Sequence, residues 1–228
     1  MTVTPSPIAI VTAALGSGLM PGSAWIAHIA RAVPDSVHFI AGNVDGQSAD
    51  DNRVRLLHLG GSKDLTPMFA RFCGALCAFN RGHETVAFLD PPHLPSSTHL
   101  DRCRELLRTH RAGAVISGVF SAVDGQAANA PTPLAQPGES ASGWVLHARA
   151  AHLISAWGLL PPAVGVFEGR FMYHWARRAG VPVAVNPEPG LFAPDEPSAD
   201  HGVLRAGAPP DATPDLFQQR LGVRINLT

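Results

Sequence analysis

Short runs rich in apolar residues recur along this chain, and between them lie segments in which apolar residues return every three or four positions. The runs are Ile8 to Ala13, Val37 to Ala41, Val54 to Leu59, Val86 to Asp90 and Ala114 to Val119. Runs of this kind read as strands buried on both faces, which belong to mostly parallel sheets. The intervening helical segments are Trp25 to Ala32, Thr66 to Asn80 and His99 to Arg108. In the second of these, apolar or small residues at 68, 69, 72, 73, 76 and 79 outline a face, and Thr66-Pro67 supplies an N-cap followed by proline at the first helical position. Ser96 or Ser97 is the expected cap of the third. Strand and helix alternate, so the fold class predicted is α/β: a single domain with a mostly parallel central sheet flanked by helices on both faces.

Beyond Val119 the pattern loosens. Asp124 to Ser142 is rich in Ala, Pro, Gly, Gln and Ser and reads as one long loop. Trp144 to Ala148 follows as a strand, Ala150 to Leu159 and Phe167 to Ala179 as helices, and Val181 to Val185 as a late strand before prolines become frequent. Residues 1–205 form the predicted domain, and Ala206 to Thr228 a tail with a short helix around Asp215 to Leu221.

Composition narrows the functional classes. With 228 residues, 15% of them charged, a formal net charge of -1 and no basic run, the chain offers no groove for nucleic acid. Apolar residues make up 46%, yet no stretch approaches the roughly 18 uninterrupted apolar residues of a membrane span. The start carries no positively charged leader, and Cys73, Cys77 and Cys103 are odd in number and sit in apparent helices, so a cytoplasmic protein is expected. Cys73 and Cys77 stand at i, i+4 without the further His or Cys pair of a zinc site. The apolar Trp157 to Pro162 stretch makes a homo-oligomer conceivable.

Three loops follow strand ends and converge if the sheet is parallel: Ala13 to Gly18, Asn43 to Asp51 and Asp90 to His93. Open α/β sheets bind ligands just outside the carboxyl ends of their strands. Asp90 stands at such an end, and Pro91-Pro92 stop its strand because proline cannot donate to the ladder. Asp45, Ser48, Asp50 and Asp51 offer acceptors for a base or ribose, or else they form a surface turn. The first loop lacks the Gly-Lys-Ser/Thr of a Walker loop and the third glycine of a dinucleotide fingerprint.

Val44-Asp-Gly-Gln-Ser-Ala-Asp-Asp51 resembles the Asp-Asp-Gly-Ser-x-Asp segment of family-2 glycosyltransferases, and Phe88-Leu-Asp-Pro-Pro-His-Leu-Pro95 resembles their Phe-Leu-Asp-Ala-Asp-Asp-x-x-x-Pro segment. Phe167-Glu-Gly-Arg170, ahead of a helix ending Arg177-Arg-Ala-Gly180, is similar to their acceptor-side block. The resemblance spans about residues 7–193 and implies a Rossmann-like GT-A fold in the nucleotide-diphospho-sugar transferase superfamily. It implies transfer of a sugar, with inversion, from a nucleoside-diphosphate sugar to an acceptor. It also implies a nucleotide site including Ala13, Asp45, Ser48, Asp50 and Asp90, and Glu168 as general base. A divalent cation, Mn²⁺ or Mg²⁺, is implied at Asp90, with His93 or His201 as further ligands, and Arg170, Arg177 and Arg178 are available to a diphosphate. Two positions depart from the pattern: Pro92 stands where the family's second motif aspartate would be, and Gly169 replaces half of the acceptor-side acidic pair. The departures leave two alternatives. Leu89 to Ser97 also resembles a turn of cytidylyltransferases, and a non-catalytic relative would keep the fold for binding or assembly.

Overall fold

The computed structural model describes residues 7–14, 23–44, 51–59, 67–91, 94–96, 98–120, 143–155 and 168–192. In chain order the elements are β1 (Ala9–Ala14), α1 (Ser23–Ala32), β2 (Val37–Gly42), β3 (Val54–His58), α2 (Pro67–Asn80), β4 (Thr85–Phe88), β5 (Leu94–Pro95) and α3 (His99–Thr109). There follow β6 (Ala114–Phe120), β7 (Trp144–His147), α4 (His152–Ser155), α5 (Glu168–Arg178) and β8 (Val183–Phe192). The strands form one sheet in the order β3-β2-β1-β4-β7-β6-β8-β5. Parallel pairing joins β3 to β2, β2 to β1, β1 to β4 and β6 to β8, whereas β7 runs against both β4 and β6 and the two-residue β5 runs against β8. This is the α/β architecture that the alternation of runs predicts.

Alternate residues of the strands feed two cores. Ala9, Val11, Phe39, Val86, Phe88, Trp144 and Leu146 pack on one face with Met68, Ala75 and Ala78 of α2 and with Met172 and Ala176 of α5. Ile8, Ile10, Ala87, Leu89, Val115 and Val145 pack on the other with Trp25 and Ile29 of α1 and Leu100, Cys103 and Leu107 of α3. Both faces of the central strands are therefore dry, which is why their sequences show no alternation. β3 differs: it is an edge strand with only Val54 buried.

Several details depart from the sequence expectation. The buried stripe of α2 is Met68, Ala70, Arg71, Gly74, Ala75 and Ala78, while Phe69 and Leu76 are 37% and 42% exposed. The helix is rotated from the face that its large apolar residues suggest, because it lies tight against β1. A Cβ on Gly74 would sit 2.6 Å from Val11 Cγ1. α3 begins at His99 with Thr98, not Ser96 or Ser97, at the N-cap position and no side-chain cap; the Ser96 carbonyl accepts from His99 N–H. β8 continues through Pro187 and Pro189 to Phe192. Its pairing with β6 shifts register between Ser117 and Val119, and such an irregularity accommodates residues that cannot donate to a ladder. The Asp124 to Ser142 loop, Trp157 to Pro162 and the tail from Ala206 lie outside the described residues.

The order of strands reverses at β1: β2 and β3 extend to one side of it and β4 lies on the other. That topological switch point, at the carboxyl edge between β1 and β4, is where open α/β sheets hold their ligands. Because β7 runs antiparallel, Phe120 at the end of β6 and Gly143 ahead of β7 both lie on this same edge, and Gly143 N–H donates to the Phe88 carbonyl at 2.7 Å.

Gly42, at φ +152°, lets β2 turn away beside β1, where Asn43 N–H donates to the Ala14 carbonyl at 3.0 Å. A Cβ there would fall 1.7 Å from that carbonyl oxygen, which is impossible without moving backbone. Gly42→Ala is therefore expected to lower unfolding free energy by roughly 3 kcal/mol or more, read as a reduced urea midpoint with an unchanged m-value.

Candidate functional site

The ladder between β1 and β4 stops where it must. Leu89 N–H donates to the Val11 carbonyl at 3.1 Å, and the next rung on that side would need an N–H from Pro91, which has none. Side chains carry the pair of strands further. Thr12 Oγ1 donates to the Leu89 carbonyl at 2.6 Å, and Ala13 N–H donates to Asp90 Oδ1 at 3.1 Å. Asp90 thus stands at the switch point, as its sequence position suggests.

It does not stand open. Asp90 is 4% exposed, and Arg71 of α2 closes over it: Arg71 Nε donates to Asp90 Oδ2 at 3.1 Å and Nη2 donates to the same oxygen. Arg71 is itself 4% exposed and is the only charged residue of α2. A buried guanidinium requires an acceptor and a buried carboxylate requires donors, so each accounts for the other. The sequence reading missed Arg71. Its signal was a lone charge within the small-residue stripe of an apolar helix, a position that demands a counter-charge across the packing surface.

The donor set does not fit a divalent cation as it stands. One carboxylate oxygen is hydrogen-bonded to backbone, the other is covered by guanidinium, and the residue two further on is Pro92. Among the described residues no group of three or more His, Cys, Asp or Glu side chains is arranged to hold a metal, Cys73 and Cys77 included. His93 and His201, the other ligands that the resemblance implies, lie outside the described residues, as do Asp45, Ser48 and Asp50.

Asp51 is brought elsewhere. β3 is parallel to β2, with His38 opposite Val54, so the chain must travel from the carboxyl edge back to the amino edge before β3 begins. Asp51 sits at that amino edge, accepting from Arg53 N–H at 2.8 Å and from Arg53 Nη2 at 2.8 Å, and the Arg53 side chain holds its carboxyl below the usual carboxylate range. Arg53 also donates to the Pro34 carbonyl at 3.0 Å. Asp51 therefore does not stand at the carboxyl edge, where the sequence reading put it with Asp45 and Asp50. A shallow hollow beside Asp51, lined by Ile29, Ser36, His38 and Arg53 among others, is likewise at the amino edge.

Glu168 is the first residue of α5, in agreement with its reading as a helix-start residue. α5 returns the chain to the amino end of β8, so Arg177 and Arg178 in its last turn lie toward the amino edge, away from the switch point. Arg177 is exposed and approaches the Tyr173 ring, 6.0 Å from its centroid.

On the α1 face of the same strand ends lies a second polar chain. Thr12 has given its proton to Leu89, so His38 Nε2–H must donate to Thr12 Oγ1, 2.8 Å away. His38 Nδ1 is then a bare acceptor with no partner among the described residues. Burial lowers the His38 pKa to about 3, and burial lowers that of His99 on α3 to about 4.

No protein-family model matches the sequence, and no curated protein is similar to it. Solved structures are similar in fold. S. aureus TarS 1-349 in complex with UDP superposes with a TM-score of 0.56 at 10% identity, over 82% of this chain and 60% of that one. The fold is GT-A-like. The complex of the same fragment with UDP-GlcNAc gives a TM-score of 0.53 at 10% identity, over 82% and 58% of the two chains. S. aureus TarS itself gives 0.51 at 11% identity, over 82% and 36%. The chain thus spans about 60% of the TarS fragment's length.

Two measurements follow from this geometry. Asp90→Ala strands a buried guanidinium and is expected to cost about 3–5 kcal/mol, whereas Asp90→Ala with Arg71→Met costs clearly less than the sum of the single changes. A double-mutant cycle by urea unfolding reads the coupling, and additive costs would contradict it. Both buried histidines stay neutral in the folded state down to about pH 3 and 4, while the unfolded chain protonates them near 6.5. Stability therefore falls as pH drops from about 6.5 toward 4, by up to about 1.4 kcal/mol per pH unit for each histidine. His38→Gln should flatten that slope by about half, measured as unfolding free energy across this window.

Proposed function

We propose that this chain is a nucleotide-sugar-dependent transferase that binds its donor in the crevice outside the carboxyl ends of β1 and β4. The observation that carries the reading is the switch point itself, in a GT-A-like framework whose TarS counterpart has been solved with UDP and with UDP-GlcNAc. The backbone at the end of β1, from Ala13, forms the floor of the crevice. Asp45 and Ser48 follow β2 in sequence and would supply acceptors suited to a base and ribose, whereas Asp50 directly precedes Asp51 of the amino edge. Asp90 acts there as a positioning residue, because its carboxylate fixes Ala13 N–H and so the end of β1.

Glu168 is the proposed general base. It would take the proton from an acceptor hydroxyl as that oxygen attacks the anomeric carbon, while the bond to the nucleoside diphosphate breaks on the opposite side with inversion. The acceptor proton passes to the carboxylate, and the bonding pair leaves with the diphosphate. α5 carries Glu168 at the end remote from the amino edge, roughly 16 Å of helix away.

The test is binding first and turnover second. Calorimetry and melting shifts across UDP, GDP, CDP and their sugar conjugates should find one nucleotide bound at sub-millimolar concentration; no binding at millimolar concentration would end this reading. With a donor in hand, Glu168→Gln should lower kcat by about 10²–10⁴ while leaving donor affinity nearly unchanged. Release of pyrophosphate from CTP instead would identify a cytidylyltransferase.

A further inference from the structure

We infer that Arg71 stands where a divalent cation would have to stand at Asp90, so that the β4 tip holds no metal and the ligand edge works without one. Both oxygens of the carboxylate are engaged by the protein. Oδ1 accepts from Ala13 N–H at 3.1 Å, and Oδ2 accepts from Nε at 3.1 Å and from Nη2 of Arg71. Mg²⁺ and Mn²⁺ require several oxygen ligands at close range and keep part of their water shell. A carboxylate 4% exposed, beneath a guanidinium equally buried, leaves no room for that shell.

Charge points the same way. Arg71 already neutralises Asp90 in a region closed to solvent, so a divalent ion at this carboxylate would face a fixed positive charge at contact range. The sequence supplies no second carboxylate beside it, because Pro92 follows two residues later, and proline has no oxygen in its side chain. Arg71 is the only charged residue of α2, in a stripe that packs on β1 and β4, and it is held there against the Asp90 carboxylate.

The metal arm of this inference stands by itself; its ligand arm rests on the nucleotide-sugar reading above. Mn²⁺ titrated into the whole chain, with the free-ion signal followed by electron paramagnetic resonance, should show no site that depends on Asp90, with or without UDP. If UDP binds, its affinity in Mn²⁺ and in EDTA should agree within about twofold. A Mn²⁺ site present in the natural chain and lost in Arg71→Gln/Asp90→Asn would overturn the inference, as would a fall in UDP affinity of tenfold or more on chelation. That double variant removes both buried charges together and is chosen because it leaves neither one stranded. Should UDP bind under neither condition, the nucleotide reading is damaged while the Mn²⁺ titration still decides whether Asp90 holds a metal.

Discussion

A single carboxylate joins three elements of this molecule. Asp90 ends the β4 segment, receives the N–H of Ala13 from β1, and pairs with Arg71 from the helix that covers both strands. It takes over where hydrogen bonding between the strands has to stop, since Pro91 has no proton to give. Among the described residues the tips of β1 and β4 are consequently held by a buried ion pair. Such pairs add little net stability, but they penalise any arrangement in which the two charges part.

The same strand ends are tied on the opposite face by His38, Thr12 and the Leu89 carbonyl. The two ties differ in kind. Arg71 and Asp90 are opposite charges in contact, whereas His38 is a neutral ring whose protonation would place a charge in a dry interior with nothing facing Nδ1 among the described residues. The geometry of this edge and the sensitivity of the fold to mild acid are therefore linked through residues at neighbouring positions of one strand, Thr12 and Ala13.

Much of the fold was legible because buried parallel strands leave an unmistakable trace of unbroken apolar residues. Asp90 was legible for the same reason, as the first polar residue after such a run. Arg71 was not. Its helix turns its small residues inward, and apolar periodicity weighs large side chains, so Phe69 and Leu76 pointed to the wrong face. Asp51 was misplaced because adjacency in sequence was taken for adjacency in space, although a parallel β3 has to begin at the far edge of the sheet. The length of β8 was concealed by prolines that only an irregular register with β6 could accommodate. Glu168 was readable at the start of its helix, since that position follows from the local pattern alone.

The reversed direction of β7 has an evolutionary consequence. Because β6 ends and β7 begins on one edge, the chain between Phe120 and Gly143 departs from and returns to the side on which a ligand would enter. Residues gained or lost in that interval leave every strand register intact, so its length is free to drift without a cost to the sheet. Selection for new partners can therefore act on this stretch while the buried framework, fixed by Asp90 and Arg71, stays constant.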